Sequence, residues 1–154
     1  MTEIPKSVEA LQDATRVLAG VALRSLEVLD GAVSLPQFRV LAVLADLRQA
    51  RSARVASALS LEASTVTRLV DRLVASGHVS REVDPSNRSA VTLALTPRGQ
   101  RLVTEVAAWR KRELTRILQV LEPDDRVVLT GALRRLVAAA GEGYGALPHN
   151  PVPL

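Results

Sequence analysis

Apolar residues recur between Glu62 and Ser76 at the spacing of a single helix face. They occupy positions i, i+3, i+4, i+7 and i+8, namely Val66, Leu69, Val70, Leu73 and Val74. At about 100° per residue, the opposite face carries Ser64, Arg68, Asp71, Arg72 and Ala75, with Thr65 and Thr67 on its flanks. The pattern predicts an amphipathic helix that ends at Ser76-Gly77, because glycine readily adopts the left-handed conformation that follows a helix.

A second, shorter helix is predicted just upstream, over Ser52–Leu59. Its apolar residues can pack on the next helix, and Ser60-Leu61 supplies the turn between the two. Alanines around the corner allow the close approach that a helix-turn-helix requires. Many such turns carry glycine at the position of Ser60, so this chain departs slightly from the usual pattern.

After Gly77 the chain alternates apolar and polar residues with the period of two that β-strands require. The stretches 79–83 and 91–95 show this alternation, and their apolar members are expected to face inward: Val79, Val83, Val91, Leu93 and Leu95. Between them, residues 84–90 contain the proline, aspartate and asparagine typical of a turn. The pattern predicts a two-stranded hairpin with Arg88 near its tip.

The exposed side chains of the predicted helix suit contact with DNA. Serine and threonine hydroxyls can reach base edges or phosphates, and arginine can bond guanine with two parallel hydrogen bonds. An arginine at a hairpin tip can enter the narrow minor groove, where the negative potential is enhanced. Taken singly, the helix is equally consistent with a solvated surface helix and the hairpin with a plain solvated loop. Their succession along the chain favours DNA binding.

The distribution of charge supports this interpretation. The formal net charge is +4. Residues 51–101 contain eight arginines and four acidic residues, whereas the rest of the chain has twelve basic and twelve acidic residues. The positive excess therefore lies on the predicted helix pair and hairpin, as neutralisation of DNA phosphates requires.

The segment STVTRLVDRLVASGHVSREVDPSNRSAVTLALTPRGQ, residues 64–100, resembles the MarR (multiple antibiotic resistance regulator) family of winged-helix transcription factors. The spacing that carries the resemblance involves Arg68, Asp71, Arg72, Gly77, Asp84, Pro85, Arg88 and the exit Leu95-Thr96-Pro97-x-Gly99. The pattern of the flanking helices extends the similarity over the whole chain. The resemblance implies a homodimer on a pseudo-palindromic operator, with each recognition helix in a major groove and each wing at the adjacent minor groove.

Carried over by position, the resemblance implies a set of DNA-facing residues. They are Ser64, Thr65, Thr67, Arg68 and Arg72 on the helix, and Asn87, Arg88 and Ser89 at the wing tip. Asp71 matches an acid that helps to hold the wing in the family. The basic residue usually paired with that acid is replaced here by Ser89, and we expect Arg88 to take over the minor-groove contact.

Further helices are predicted on both sides of this module. One covers Ser7–Leu29, and another begins at Ser34, which can form a capping box with Gln37. After the hairpin, Thr96-Pro97 starts a long helix, and a last helix follows residues 122–125 and is expected to end at Gly141. Their broad apolar faces need partners. The resemblance implies burial against a second subunit, and an intramolecular bundle is the alternative.

We therefore expect one domain over residues 1–154, mainly α-helical with a small β-hairpin wing. Residues 36–96 would form the winged helix-turn-helix, and residues 7–34 and 97–141 the N- and C-terminal dimerisation helices. The resemblance also allows a small hydrophobic or anionic effector between these parts. Candidate lining residues are Phe38, Leu41 and Trp109, although a lone tryptophan on an apolar stripe is more often part of a core.

Composition argues against other classes of function. The chain lacks cysteine and has only His78 and His149, so we expect no disulfide, no metal site and no cofactor. No phosphate-binding loop and no nucleophile with a positioned base is evident, and an enzyme is not expected. No apolar run is long enough to cross a bilayer, and residues 1–10 do not resemble a signal peptide. We expect a cytoplasmic protein with no membrane partner.

Two alternatives remain open at this point. A winged helix can serve as a protein–protein interaction module, which the arginine excess disfavours. A helical small-ligand-binding protein would need convergent polar residues in a pocket, and the sequence shows none.

Overall fold

The computed structural model describes residues 3–84 and 87–144, with the side chains of residues 3, 84, 88–90 and 141–144 left out of that description. The elements in chain order are α1 (Glu3–Arg24), a 3-10 helix (Ser25–Leu29), α2 (Leu35–Leu47), β1 (Gln49–Ala50), α3 (Ser52–Leu59), α4 (Ala63–Ala75), β2 (Val79–Asp84), β3 (Asn87–Leu95), α5 (Pro97–Leu118) and α6 (Pro123–Tyr144). The predicted fold class, mainly α-helical with a small β-hairpin wing, is confirmed.

Helix α2 forms the centre of the core. The fully buried Phe38, Leu41 and Leu44 lie on it, and it packs against α3, α4, α5 and β3. Its start is the predicted capping box: the Gln37 N–H donates to Ser34 Oγ at 3.4 Å, and the Ser34 N–H donates to Gln37 Oε1 at 2.8 Å. These bonds satisfy backbone groups that helix starts leave open. The cap therefore sets where the central helix begins.

The sheet has a third strand that the sequence pattern did not predict. Gln49 and Ala50 pair with Ala94 and Leu93 in antiparallel register. The strand order is β1-β3-β2. A two-residue strand has no periodicity of its own, so only the edge offered by β3 reveals it.

The hairpin extends beyond the core. Val79 and Leu93 are buried, but Val83 and Val91, which pair directly across the strands, are 59% and 46% exposed. The expectation that all five apolar residues of the hairpin face the core is therefore wrong for these two. They share the face of Val79 by alternation, but no core lies beneath the outer part of the hairpin. We refer to β2–β3 as the wing.

The terminal helices also differ from expectation. Helix α1 begins at Glu3 rather than Ser7, and its predicted end is a separate 3-10 helix, Ser25–Leu29. Helix α6 runs to Tyr144, so Gly141 does not end it; in a helix with few packing constraints, glycine is tolerated at a modest cost. Within the described residues, no helix combines the length and apolarity needed to span a membrane.

Candidate nucleic-acid interface

Helices α3 and α4 form a compact helix-turn-helix. Ser60 adopts the left-handed conformation (φ 53°) at the end of α3, which serine tolerates less readily than glycine. The Leu61 N–H donates to the Ala56 carbonyl at 3.0 Å and closes the turn. The buried residues of the pair belong to one core cluster: Val55, Ala56, Leu59, Val66, Leu69, Val70 and Leu73. The turn therefore holds α4 in a fixed orientation on the core.

The outer face of α4 carries the side chains that the sequence assigned to DNA. All five are exposed: Ser64, Thr65, Thr67, Arg68 and Arg72. The Thr67 hydroxyl donates to the Ala63 carbonyl at 2.9 Å, so its oxygen remains an acceptor while its proton is engaged. Four buried apolar residues form the opposite face. The structure thus presents hydroxyls near the start of α4 and guanidinium groups towards its end on a single surface.

Asp71, the acid predicted to support the wing, bonds to a residue that the sequence analysis did not single out. Its Oδ1 accepts a hydrogen bond from Arg81 Nη2, and the two side chains form an ion pair between α4 and β2. On the other side of the wing, Gln49 Nε2 donates to Glu82 Oε2 at 3.0 Å and links β1 to β2. Successive residues of β2 are therefore tied to different elements.

The junction between α4, the wing and α5 is built around His78. Its N–H donates to the Leu73 carbonyl at 2.8 Å, and its own carbonyl accepts from the Thr96 N–H at 3.1 Å. The ring is buried, with Nδ1 2.7 Å from Ser76 Oγ. Burial, followed by the positive charge of Arg98, lowers the pKa of His78 below its usual value. The lowered pKa favours the uncharged imidazole, and the contacts of His78 join α4, the wing and the start of α5.

Thr96 caps α5, as predicted. Its Oγ1 accepts from the Gly99 N–H at 3.2 Å and donates to the Gly77 carbonyl at 2.6 Å. One hydroxyl therefore joins the start of α5 to the left-handed turn that follows α4, where Gly77 has φ 75°. The end of α4 and the start of α5 are held by the same few atoms.

The wing-tip assignments are only partly described. Asn87 is exposed at the start of β3. The backbone of Arg88 and Ser89 belongs to β3, but their side chains lie outside the described residues. Their assignment to DNA stays a prediction.

The three candidate effector residues do not come together around a described cavity. Phe38 and Leu41 are fully buried in the core, and Trp109 is half-buried on α5. A cavity of about 610 Å³ lies between α1 and α5, with a mainly apolar lining of Leu18, Val21, Ala22, Ala107, Arg110, Lys111, Leu114, Thr115 and Leu118. The assignment of Phe38, Leu41 and Trp109 stays a prediction.

Arg110 is the half-buried cation of this cavity. Its Nε donates to Ser25 Oγ at 2.6 Å, and Ser25 in turn donates to the Ala22 carbonyl at 2.6 Å. Burial lowers the pKa of Arg110 from its usual high value, which leaves the guanidinium protonated at any physiological pH. An arginine next to an apolar wall can attract an organic anion.

In the described ranges, no group of three or more histidine or carboxylate side chains lies close enough to hold a metal ion. The carboxylates near the wing, Asp71 and Glu82, are engaged with Arg81 and Gln49. They act as structural links in this arrangement.

Sequence reasoning missed Arg81, Gln49 and the Ser25–Arg110 contact. For Arg81 a signal was available: by alternation it lies between Val79 and Val83 on the face directed at the helices, where a charge needs a partner. No comparable signal marks Ser25 and Arg110, which are 85 residues apart and meet only through packing.

Comparisons with known proteins agree with this architecture. The sequence model of the MarR family matches residues 33–91. The uncharacterized HTH-type transcriptional regulator YsmB of Bacillus subtilis is 29% identical over 105 residues, which cover 68% of this chain and 72% of YsmB.

Two solved structures extend the similarity beyond the matched segment. RV1404 from Mycobacterium tuberculosis superposes with a TM-score of 0.83 at 31% identity, covering 92% of this chain and 97% of RV1404. A MarR family protein from Bacillus stearothermophilus superposes with a TM-score of 0.74 at 28% identity, covering 88% and 96% of the two chains. The chain therefore belongs to the MarR family of winged-helix transcriptional regulators.

Proposed function

We propose that this protein represses transcription by binding a pseudo-palindromic operator as a homodimer, and that a small-molecule effector releases it. The observation that carries the proposal is the outer face of α4, where exposed hydroxyls and arginines lie beside a wing fastened to the same helix. Hydroxyl and guanidinium groups are the donors that read base edges in the major groove. A wing at one end of such a helix reaches the neighbouring minor groove.

The proposed division of labour follows the chain. Residues 36–96 form the DNA-binding unit, and residues 7–34 and 97–141 supply the dimerisation helices. Arg68 and Arg72 read bases, while Ser64, Thr65 and Thr67 contact bases or phosphates. At the wing tip, Asn87, Arg88 and Ser89 contact the minor groove and its phosphates.

The unpartnered apolar surface supports the homodimer. Among the described residues, α6 forms no extended packing with any other element of its own chain. Large apolar side chains are exposed on the terminal helices: Ile4, Val8, Leu11, Val17, Leu18, Leu23, Val127, Val128, Leu133, Leu136 and Val137. Apolar surface of this extent is typical of an interface rather than of a monomer. Two protomers place their α4 helices about one helical turn apart on DNA, which a palindrome requires.

The α1–α5 cavity supports an effector with an apolar body and an anionic group. Its lining combines six apolar residues with Thr115, Arg110 and Lys111, and no carboxylate is among these described residues. An effector that binds the DNA-incompetent dimer more tightly than the DNA-competent one lowers operator occupancy, and the difference between these two affinities sets the size of the effect.

Replacing Arg110 with methionine is expected to abolish release from DNA by such an anion, as measured by titration of a protein–DNA complex.

Since the proposed partner is chromosomal DNA, the proposed location is the cytoplasm.

The test is a titration of labelled duplex from the region upstream of the protein's own gene, beside a scrambled duplex, at two salt concentrations. We expect Arg68→Ala to reduce the preference for the upstream duplex by about 1–3 kcal/mol, the worth of one base contact. We expect Arg88→Ala to weaken binding to both duplexes and to lower the salt slope by about one unit for each protomer.

Arg16→Ala is the matched control, because it also removes one arginine, and Arg16 is exposed on α1, outside the proposed DNA-binding unit. It should bind both duplexes as the parent does. If the parent shows no preference for any duplex, or if Arg68→Ala and Arg88→Ala bind like the parent, the DNA-binding assignment is wrong and an interaction module becomes the better interpretation.

A further inference from the structure

Two successive residues of β2 connect the wing to different neighbours. Arg81 pairs with Asp71 on α4, whereas Glu82 accepts from Gln49 on β1. Because side chains alternate along a strand, these contacts lie on opposite faces of the sheet. Strand β2 is therefore restrained from both sides at one level of the hairpin.

This level is also where apolar packing stops. Toward the base, Val79 is buried in the core, but one step beyond Arg81 the Val83–Val91 pair is more than two-fifths exposed on each side. The outer part of the wing consequently gains little orientation from the core. Of the described contacts, the Asp71–Arg81 pair is the outermost one that ties the wing to α4.

We propose that Arg81 is a positioning residue: through Asp71 it sets the angle of the wing relative to α4, so that the two DNA-contacting elements meet adjacent grooves together. The inference rests on the proposed function. Ser89, at the wing tip, is uncharged and cannot form an ion pair with Asp71. Here the opposing charge comes from the strand β2 instead, nearer the base of the wing.

A competing explanation is that Arg81 serves DNA binding through its positive charge alone. The two explanations predict opposite signs for Asp71→Asn. Removal of a carboxylate next to DNA raises the positive charge of the module, so a purely electrostatic role predicts equal or tighter binding to every duplex. A positioning role predicts weaker binding to the specific duplex, because the wing loses its orientation, with unchanged or tighter binding to the scrambled one.

The experiment measures binding of the full-length chain to the upstream and scrambled duplexes for Asp71→Asn, Arg81→Ala, the double variant and the charge-swapped Asp71→Arg/Arg81→Asp. Exposed ion pairs are individually weak, but the dimer loses one from each protomer, so we expect each single variant to lose about threefold to tenfold of the specific-to-scrambled ratio. The double variant should lose no more than either single variant. The charge swap should recover most of the ratio.

Arg16→Ala again controls for loss of one exposed arginine from an ion pair, and thermal unfolding checks that each variant is folded. If Asp71→Asn binds the specific duplex as tightly as the parent, or if the losses of the single variants add in the double variant, the positioning role is wrong.

Failure of this inference can be separated from failure of the proposed function. A parent that discriminates between the duplexes while the four Asp71 and Arg81 variants keep its ratio overturns only the role of Arg81. A parent that does not discriminate overturns the proposed function first.

Discussion

At the scale of single residues, Gly99 has the least room for a side chain among the glycines compared in the described part of the chain. A Cβ built on its backbone would overlap the carbonyl oxygen of His78 and lie 3.3 Å from Leu95 Cδ2. Gly99 also donates its N–H to Thr96 Oγ1. The first turn of α5 therefore lies in close contact with the backbone that follows α4, and the absence of a side chain at Gly99 permits this approach.

Replacement of Gly99 by alanine is expected to lower the free energy of unfolding by about 2 kcal/mol, since overpacking costs about 1–3 kcal/mol where the backbone must shift. The measurement is urea-induced unfolding at one fixed protein concentration, because association would otherwise change the apparent stability.

Gly20→Ala is the matched control. Nothing lies within 4 Å of a Cβ at Gly20 in the interior of α1, and alanine there should stabilise by about 0.5–1 kcal/mol. Equal effects of the two substitutions would contradict the role assigned to Gly99.

At the scale of elements, the wing is held at its base and at the level of Arg81, in addition to the pairing of its own strands. At its base, the backbone of His78 bonds to Leu73 of α4 and to Thr96 before α5. Further out, Arg81 binds Asp71. A hairpin of two strands is only marginally stable in water, so these links and β1 give the wing a defined position next to the recognition helix.

Stability is expected to fall as the pH drops below about 6.5, the usual pKa of histidine. Burial, and then Arg98, lower the pKa of His78 in the folded chain, so between the folded and unfolded pKa values the unfolded chain binds more protons. The stabilisation from neutral His78 is present above the unfolded pKa and is lost as the pH falls through the folded one.

The thermal midpoint measured from pH 8 to pH 5 checks this expectation. His78→Asn places an uncharged amide near the position of Nδ1, next to Ser76, and should flatten the dependence over that range. If the thermal midpoint of His78→Asn depends on pH as strongly as that of the parent, another group causes the pH dependence.

At the scale of the whole molecule, the chain carries more apolar surface than its own core can cover. Helix α6 exposes Val128 and Leu136, and within the described part of the chain it packs extensively against no other element. Under the proposed function, a second copy of the chain covers this apolar surface.

Leu136→Glu is expected to shift the protein from dimer to monomer and to weaken operator binding by more than about 100-fold, because a charge buried without a partner costs several kcal/mol. Sedimentation velocity at micromolar concentration measures the first effect and duplex titration the second.

Ala138→Glu adds the same charge to α6, roughly half a turn away around the helix at 100° per residue, and Ala138 is exposed. This control should remain dimeric and bind DNA. Dimerisation through the apolar face of α6 would be contradicted by a Leu136→Glu variant that sediments like the parent.

Local signals in the chain predicted most of its elements. The stripe that begins at Val66 predicted α4, Ser34 and Gln37 the start of α2, and Thr96 the start of α5; the structure confirms all three. These features depend on neighbours within one or two turns, where side-chain spacing and capping hydrogen bonds act. Family membership could also be predicted, because the spacing of the winged segment survives in the sequence.

The candidate site was predicted in outline but not in its internal contacts. Which face of α4 points outward follows from periodicity, so the exposure of Arg68 and Arg72 could be foreseen. The partner of Asp71 was missed, because charge alone does not distinguish Arg81 from the basic residues nearby and only the strand alternation marks it. Whether these residues bind DNA stays a prediction that the proposed titrations test.

The amino-acid order by itself determined the helices, the hairpin, the caps and the polar face of the recognition helix, since each arises from interactions between residues close in sequence. Only the tertiary structure decided that Gln49 joins a third strand, that the Val83–Val91 pair lies beyond the core, and that Arg110 reaches Ser25. These features depend on how elements distant in sequence pack in space. Periodicity carries no information about the distance between such elements.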